Sequence, residues 1–496
     1  MARAIDHTAF TDADYAAFRV RLESNLRAFR ALLARPGFGE GEQSLGAELE
    51  MSLIDANTRA LGVNREVLAQ SRDPRLALEL DRFNLEFNLT PIVARGHPFA
   101  HLQAEATSAL AETNRLAAAL GARVVPIGIL PTLTEEDLQI TALTDVPRYH
   151  ALSEGVRRLR HAPSMVRIQG DDSIVLSCND ITLEGANTSF QVHYRVRPGD
   201  FANSYNAAQL AIPLALAVSS NSPTFLGRRL WEETRIALFK QALDYRDFEA
   251  TQWRPPARVG FGHGWVRTGV WELFAEGVGL FAPIFPICDD DDAEATVASG
   301  GIPRLSELRL HQGTVWRWNR SIYDPDFGGH LRIEMRALPA GPTPLDMVAS
   351  AAFLVGLTRA LADRVDELLP RFPFGYAEYN FYRAAQQGVN AKLLWPSLSA
   401  SESSPIEVTA TQAVLTALPV AAEGLALLGV ASDESDRLLG VVRDRVMSGT
   451  TASRWQRRVL DRLLVTHDRD EALALLVEKY LAQAMTERPV HEWSEA

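Results

Sequence analysis

A chain of 496 residues with 47% hydrophobic and 23% charged content has ordinary globular composition, which excludes disordered, fibrous and collagenous classes. A formal net charge of −12 disfavours a protein that tracks phosphate backbones, so no nucleic-acid partner is expected. Two cysteines, Cys178 and Cys288, exclude a disulfide framework and a Cys-based zinc module. All but three of the 50 basic residues are arginine, the better bidentate partner of carboxylate and phosphate.

The N-terminal segment MARAIDHTAFTDADY lacks the apolar core of a signal peptide. The most apolar stretch, residues 210–218, is too short for a bilayer and contains Pro213. A cytoplasmic chain with no membrane partner is the expectation. Helical spacing of Tyr15, Phe18, Leu22, Leu26, Leu32 and Leu33 predicts a helix over about 13–35, closed by Pro36-Gly37. A second amphipathic helix is predicted over about 100–120, a buried strand over 123–129, and a loop with a helix start in PTLTEEDLQ. Residues 205–245 read as two helices joined by SSNSPTFLGRR. The run CDDDDAEATVASGG at 288–301 is either a metal site or, on the repulsion of adjacent like charges, a solvated loop. Beyond about 345 the pattern is mostly helical, and SLSASESSP at 397–405 reads as a linker. Residues 1–396 are therefore expected to form the main domain, and 397–496 a helical C-terminal annex.

Four separate segments alternate polar and apolar residues. Gly46, Glu48, Glu50 and Ser52 alternate with Ala47, Leu49, Met51 and Leu53; Asn84, Glu86 and Asn88 with Leu85, Phe87 and Leu89. Gln191, His193 and Arg195 alternate with Val192, Tyr194 and Val196; Arg332, Glu334 and Arg336 with Leu331, Ile333, Met335 and Ala337. A period of two puts each polar set on one strand face, with same-face neighbours about 6.5–7 Å apart. Solvated antiparallel strands would show the same alternation. These faces, however, hold no Lys or Thr; they offer Glu, His, Asn and Arg. Glu48, Glu50, Glu86, Glu334 and His193 are ligand types suited to Mg²⁺ or Mn²⁺, and the arginines suit anionic groups. Such a face fits metal-assisted phosphoryl chemistry. Neither GxxxxGK[ST] nor GxGxxG occurs, so ATP, if used, is held by another device. The 219–235 segment places Asn221 and Ser222 where they would cap a helix and leave backbone N–H groups for an anion, with Arg235 further along it.

The order GxExE, DxxNLEFNLTP, QVH, NSPxxxG…R and RIEMR, over about residues 40–350, resembles glutamate–cysteine ligase family 2, of the glutamine-synthetase-like carboxylate–amine ligases. The resemblance implies an α+β fold: a curved, mainly antiparallel catalytic sheet with helices outside. It implies ATP as cosubstrate, with Mg²⁺ (or Mn²⁺), phosphorylating the carboxylate of a glutamate-like acid that an amine such as cysteine then attacks. It assigns metal binding to Glu48, Glu50, Glu86, His193 and Glu334, and catalytic roles to Arg336, near the transferred phosphoryl group, and to Arg235, on the helix after the NSP loop. Asp81, Asn221, Ser222, Arg332 and Arg320 are expected at the substrate or ATP. A different amine or acid, or a guanidino-kinase-like phosphotransferase on the same sheet, stays open, as does the oligomeric state.

Overall fold

The computed structural model describes residues 10–160, 163–246, 255–396 and 404–495. At its centre is a curled eight-stranded sheet, numbered in chain order β1 (Ser44–Ile54), β2 (Leu76–Leu78), β3 (Asn84–Asn88), β4 (Ile92–Val93), β5 (Arg123–Val125), β6 (Phe190–Val196), β7 (Asn319–Asp324) and β8 (His330–Met335). The order is β7-β8-β6-β1-β3-β2 with every pair antiparallel. The long strand β1 changes partners along its length: β4 and β6 near its start, β3 in the middle, β5 at its end. That exchange, with the inherent strand twist, curls the sheet into a half-barrel.

The apolar halves of the four alternations form one buried face. Leu45, Leu49, Met51, Leu85, Phe190, Tyr194, Ile333 and Met335 are all fully buried. The helices α1 (Asp12–Leu33), α2 (Pro98–Ala118), α3 (Pro147–Leu159), α4 (Phe201–Ser219), α5 (Thr234–Ala242), α6 (Pro344–Ala362) and α7 (Phe374–Gln387) surround it. Thr11 and Asp14 start α1 with a reciprocal capping box, close to the expected boundary. The strand expected over 123–129 stops at Val125, because Pro126 has no N–H for the ladder. PTLTEEDLQ folds as a short 3₁₀ turn, Glu135–Leu138, capped by Thr134 and Asp137.

Between α4 and α5 the expected simple joint is instead a small hairpin, Thr224–Phe225 with Arg228–Arg229. The acidic run is tied down. The Asp292 side chain caps the helix Ala293–Ala298, the Arg21 guanidinium donates to the Asp289 and Asp291 carbonyls, and Ser306 donates to the Asp289 carboxylate. The expected linker falls largely on residues 397–403, outside the described residues; just beyond it, Ile406–Thr409 pairs with Lys392–Trp395.

The C-terminal helices α8 (Ala410–Leu428), α9 (Ser432–Ser448), α10 (Ala452–Leu463) and α11 (Arg469–Ala484) pack into the same body. Helices α8 and α6 approach so closely that a Cβ on Gly424 would meet the Gly356 carbonyl at 1.8 Å. The Arg445 guanidinium, 2% exposed, donates to Asp346 Oδ1 (2.8 Å) on α6 and to the Val218 carbonyl (2.9 Å) on α4. By length and composition α6 and α8 would each cross a membrane, exceeding the 210–218 stretch singled out in the sequence. Here α6 is the buried central helix, and α8 lays its Ala413, Ala417, Ala421 and Leu425 face on it.

Candidate active site

The register of the sheet brings the four polar half-strands onto one concave face. Glu50 stands opposite Glu86, Glu48 opposite both Asn88 and Gln191, His193 opposite Glu334, and Arg320 opposite Glu334 on the other side. A directly opposed pair in a sheet has Cβ atoms about 5 Å apart, so these side chains meet.

The face divides into two electrostatic regions. In the first, Glu50, Glu79 and Glu86 each offer a carboxylate oxygen within 4.8 Å of the others. Asn88 Nδ2 donates to Glu86 (2.8 Å), and the Ser189 N–H (2.7 Å) and Gln191 Nε2 (2.8 Å) donate to Glu50. Burial pushes all three carboxyls up. For Glu79, with Glu50 adding to the effect, the value reaches about 7; for Glu86, Glu48 and Glu79 drive it well above the usual range. Arg235 and Arg336 oppose the rise at Glu50 without cancelling it. Three carboxylates that destabilise one another's charge form a set that a hard divalent cation would relieve.

In the second region the charges are already compensated. Burial alone would raise Glu334, but Arg320 and Arg336, with His193, outweigh it and hold the carboxyl far below its usual range. Arg320 Nη2 lies 2.8 Å from Glu334 Oε2, Arg336 pairs with Glu334 Oε1, and Arg336 also donates to Gln191 Oε1 (2.6 Å). Glu48 Oε1 lies 3.0 Å from His193 Nε2, and that imidazole outweighs burial to keep Glu48 below the usual carboxylate range. Gln191 thus bridges the regions, donating to Glu50 and accepting from Arg336.

Arg320 and Arg332 also line a cleft of about 890 Å³, together with Arg148, Arg304 and Arg309. Arg332 Nη1 is 2.9 Å from Asp324 Oδ2. Arg148 is close enough to Glu79 and Glu86 to feel their charge. The cleft lining also holds Asp289, Asp324 and Asp326, so five arginines face three aspartates there, and Arg320 links the cleft to Glu334.

Of the remaining sequence-chosen residues, Asp81, Asn221 and Ser222 stand outside the converging carboxylates, and Arg235 stands beside them. Asp81 is fully buried, and a Cβ on Gly185 would meet its Oδ2 at 2.3 Å; its carboxylate is not among the three that converge in the cradle. Asn221 and Ser222 do not present N–H groups to an anion. The Asn221 N–H donates to Glu233 Oε2 (2.8 Å), and the Ser222 N–H to Ser453 Oγ (3.1 Å). The physical reason is distance along the chain: α5 begins only at Thr234, beyond the hairpin, and Ser222 Oγ reaches back across it to accept from the Arg235 N–H (3.3 Å). The Arg235 side chain is buried between Glu233 Oε1 (3.1 Å) and the Ala337 carbonyl (3.2 Å), beside the cradle. Cys178 is buried, which pushes its thiol up to about 11, so it is no nucleophile.

Glu79 was missed in the sequence. Its signal is the alternation Leu76-Ala77-Leu78-Glu79-Leu80, which carries the β2 pattern one residue past the strand end.

A curled antiparallel sheet thus gathers carboxylates and arginines on one face. The chain matches glutamate–cysteine ligase family 2 over residues 44–479, and it belongs to that family. A Mycolicibacterium vanbaalenii protein, provisionally named glutamate–cysteine ligase 2-2, is 26% identical over 184 residues, which is 37% of this chain and 43% of that protein. Among solved structures, a Francisella tularensis glutamate–cysteine ligase in complex with AMP aligns over 92% of this chain and 91% of its own, at 11% identity and a TM-score of 0.55. At that identity the likeness speaks for the fold.

Proposed function

We propose that the protein is an ATP-dependent carboxylate–amine ligase that activates the γ-carboxyl of glutamate as an acyl phosphate and joins it to the amine of cysteine. The observation that carries this reading is the single sheet face on which Glu50, Glu79 and Glu86 stand beside the Glu334–Arg320–Arg336 network. An amide does not form from a free carboxylate and an amine in water, because the carboxylate lacks a leaving group. Transfer of a γ-phosphoryl group supplies one.

The donor set fits Mg²⁺ or Mn²⁺, being all oxygen, anionic and convergent. Glu50, Glu79 and Glu86 would hold the cation, which when bound neutralises charge on the transferred phosphoryl group. The protein's own contribution is positioning and charge. Arg336, held by Glu334 and Gln191, faces the developing charge; Arg235, fixed by Glu233 and the Ala337 carbonyl, lends its positive charge to Glu50 from behind. Arg148, Arg304, Arg309 and Arg332 give the neighbouring cleft the positive lining a triphosphate needs. No protein nucleophile is required, in keeping with an inert Cys178.

Purified protein given ATP, Mg²⁺ and glutamate should release phosphate only when an amine is added, and the product mass should equal acid plus amine less water. A phosphorylated acceptor with no amide would instead indicate a phosphotransferase. Absence of amine-dependent phosphate release across cysteine, other amino acids and simple amines would overturn the ligase reading. The same panel identifies the amine.

A further inference from the structure

The cations that the strands place on the concave face have acidic partners, with one exception. His193 has Glu48 (3.0 Å), Arg320 has Glu334 (2.8 Å), Arg332 has Asp324 (2.9 Å), and Arg336 shares Glu334. Arg195 forms no hydrogen bond or ion pair among the described residues. The acids of the adjoining loop do not neutralise it, because Glu40 pairs with Arg197 (3.6 Å) and Glu42 with Arg95 (2.8 Å).

Arg195 on β6 stands directly opposite Arg332 on β8. Opposed residues have Cβ atoms about 5 Å apart, and like charges there destabilise a sheet. Both guanidinium groups keep a way to solvent. Each residue is only partly buried, and of the nitrogens without a partner only the two Nε atoms are sealed off, so Arg195 Nη1 and Nη2 and Arg332 Nη2 stay accessible. Arg332 lines the cleft of about 890 Å³. From the other side the backbone before β1 presses on Arg195: a Cβ on Gly41 would fall 2.5 Å from its Nη2. That contact requires glycine at the end of GFGEG (37–41), a sequence without the spacing of a phosphate loop. His330 adds no compensating acid and no third charge. Its Nε2 lies 3.3 Å from Arg332 Nη1 and its Nδ1 3.4 Å from the Asp326 carbonyl, the contacts of a neutral ring that accepts from the guanidinium.

We propose that Arg195 and Arg332 form a clamp for one oxyanion, a carboxylate or phosphate group of a bound substrate. Planar guanidinium forks match such groups, and both arginines stand on paired strands that fix their spacing. Arg195 lies one same-face step beyond His193 and two beyond Gln191, the residue that Arg336 contacts; each step is about 6.5–7 Å. The clamp therefore meets a part of the substrate remote from the reacting group: the second carboxylate of the acid, or a phosphate of the nucleotide. Only this choice of substrates rests on the ligase reading.

The test is calorimetric titration of the full chain and of Arg195→Gln with Mg²⁺ present. Glutamate is compared with 4-aminobutyrate, which lacks the α-carboxylate, and ATP with adenosine. Loss of one charge-assisted contact should weaken binding of glutamate or of ATP about tenfold, while 4-aminobutyrate and adenosine bind the variant as they bind the wild type. A loss with glutamate names the carboxylate, and one with ATP the phosphate. Because Arg195 balances no acid, the ligand-free variant should unfold at the wild-type midpoint or above it, whereas loss of a structural arginine would lower that midpoint. Unchanged affinity for both anions, an equal loss for 4-aminobutyrate or adenosine, or a lowered midpoint would overturn the clamp. Anion binding that depends on Arg195 in a protein that forms no amide would refute the ligase reading and leave the clamp standing.

Discussion

Glu79 and Asp81 lie two residues apart in the same alternating stretch, yet only Glu79 joins Glu50 and Glu86 within 4.8 Å. This makes opposite predictions for conservative changes at the cradle and at Asp81. Glu79→Gln or Glu50→Gln should weaken Mg²⁺ binding by at least about tenfold and lower turnover by about 10²-fold, with little change in the unfolding midpoint. Asp81→Asn should leave Mg²⁺ affinity unchanged, because its carboxylate packs against Gly185. Calorimetric Mg²⁺ titration of the three variants decides between them, and a loss of affinity in Asp81→Asn would refute the placement of the cradle. Glu334→Gln behaves differently again. Glu334 is 1% exposed and balances Arg320 and Arg336, so its loss should cost about 3 kcal/mol of stability besides abolishing turnover. Denaturant unfolding measures this; an unchanged midpoint would mean the two arginines do not depend on Glu334.

At the scale of elements, Glu272 caps the helix Val270–Leu280 by accepting from Thr268 Oγ1 (2.6 Å), Arg267 Nε (3.0 Å) and the Gly269 N–H (3.3 Å). Partial burial opposes them, but these donors hold its pKa at about 2. The folded value lies below an unfolded glutamate's, about 4.3. The stabilisation is therefore complete above that unfolded value and is lost as pH falls through about 2. Glu272→Gln should lower stability by roughly 1–2 kcal/mol at pH 6, and the gap from wild type should be narrower, though not closed, at pH 3. Thermal unfolding at both pH values checks this; a gap independent of pH would contradict it. Strand identity and facing were legible in the sequence because the period-two pattern in β1, β3, β6 and β8 is unbroken. Pairing was not, since alternation states which face a residue occupies and not which strand lies beside it. The misplaced α5 start has a similar cause: Asn221-Ser222 carries local capping chemistry, while the hairpin before Thr234 is fixed by contacts to Asp172 and Ser453, far away in sequence.

At the scale of the whole molecule, the C-terminal helices belong to the body that carries the catalytic sheet. Tyr480 on α11 donates to the Pro126 carbonyl (2.9 Å) and accepts from Asn221 Nδ2 (2.8 Å), and Gln456 on α10 donates to Asn221 Oδ1 (2.7 Å). The loop that leads to Arg235 is therefore anchored by segments more than 200 residues downstream. Amphipathic periodicity showed that these helices bury a face, but a one-dimensional pattern does not say against what. Removing one buried charge of the Arg445–Asp346 pair tests the integration: Arg445→Ala should cost about 3–5 kcal/mol and lower the unfolding midpoint of the whole chain in one transition. Two separate transitions would show that the annex unfolds by itself.

The central chemical claim is that the acid is activated as an acyl phosphate on the carboxylate–arginine face. Glutamate labelled with oxygen-18 in its γ-carboxyl, turned over with ATP, Mg²⁺ and the accepted amine, reads this out in the inorganic phosphate. An acyl-phosphate route transfers one labelled oxygen to phosphate for each amide formed. Amide formation with unlabelled phosphate would contradict it.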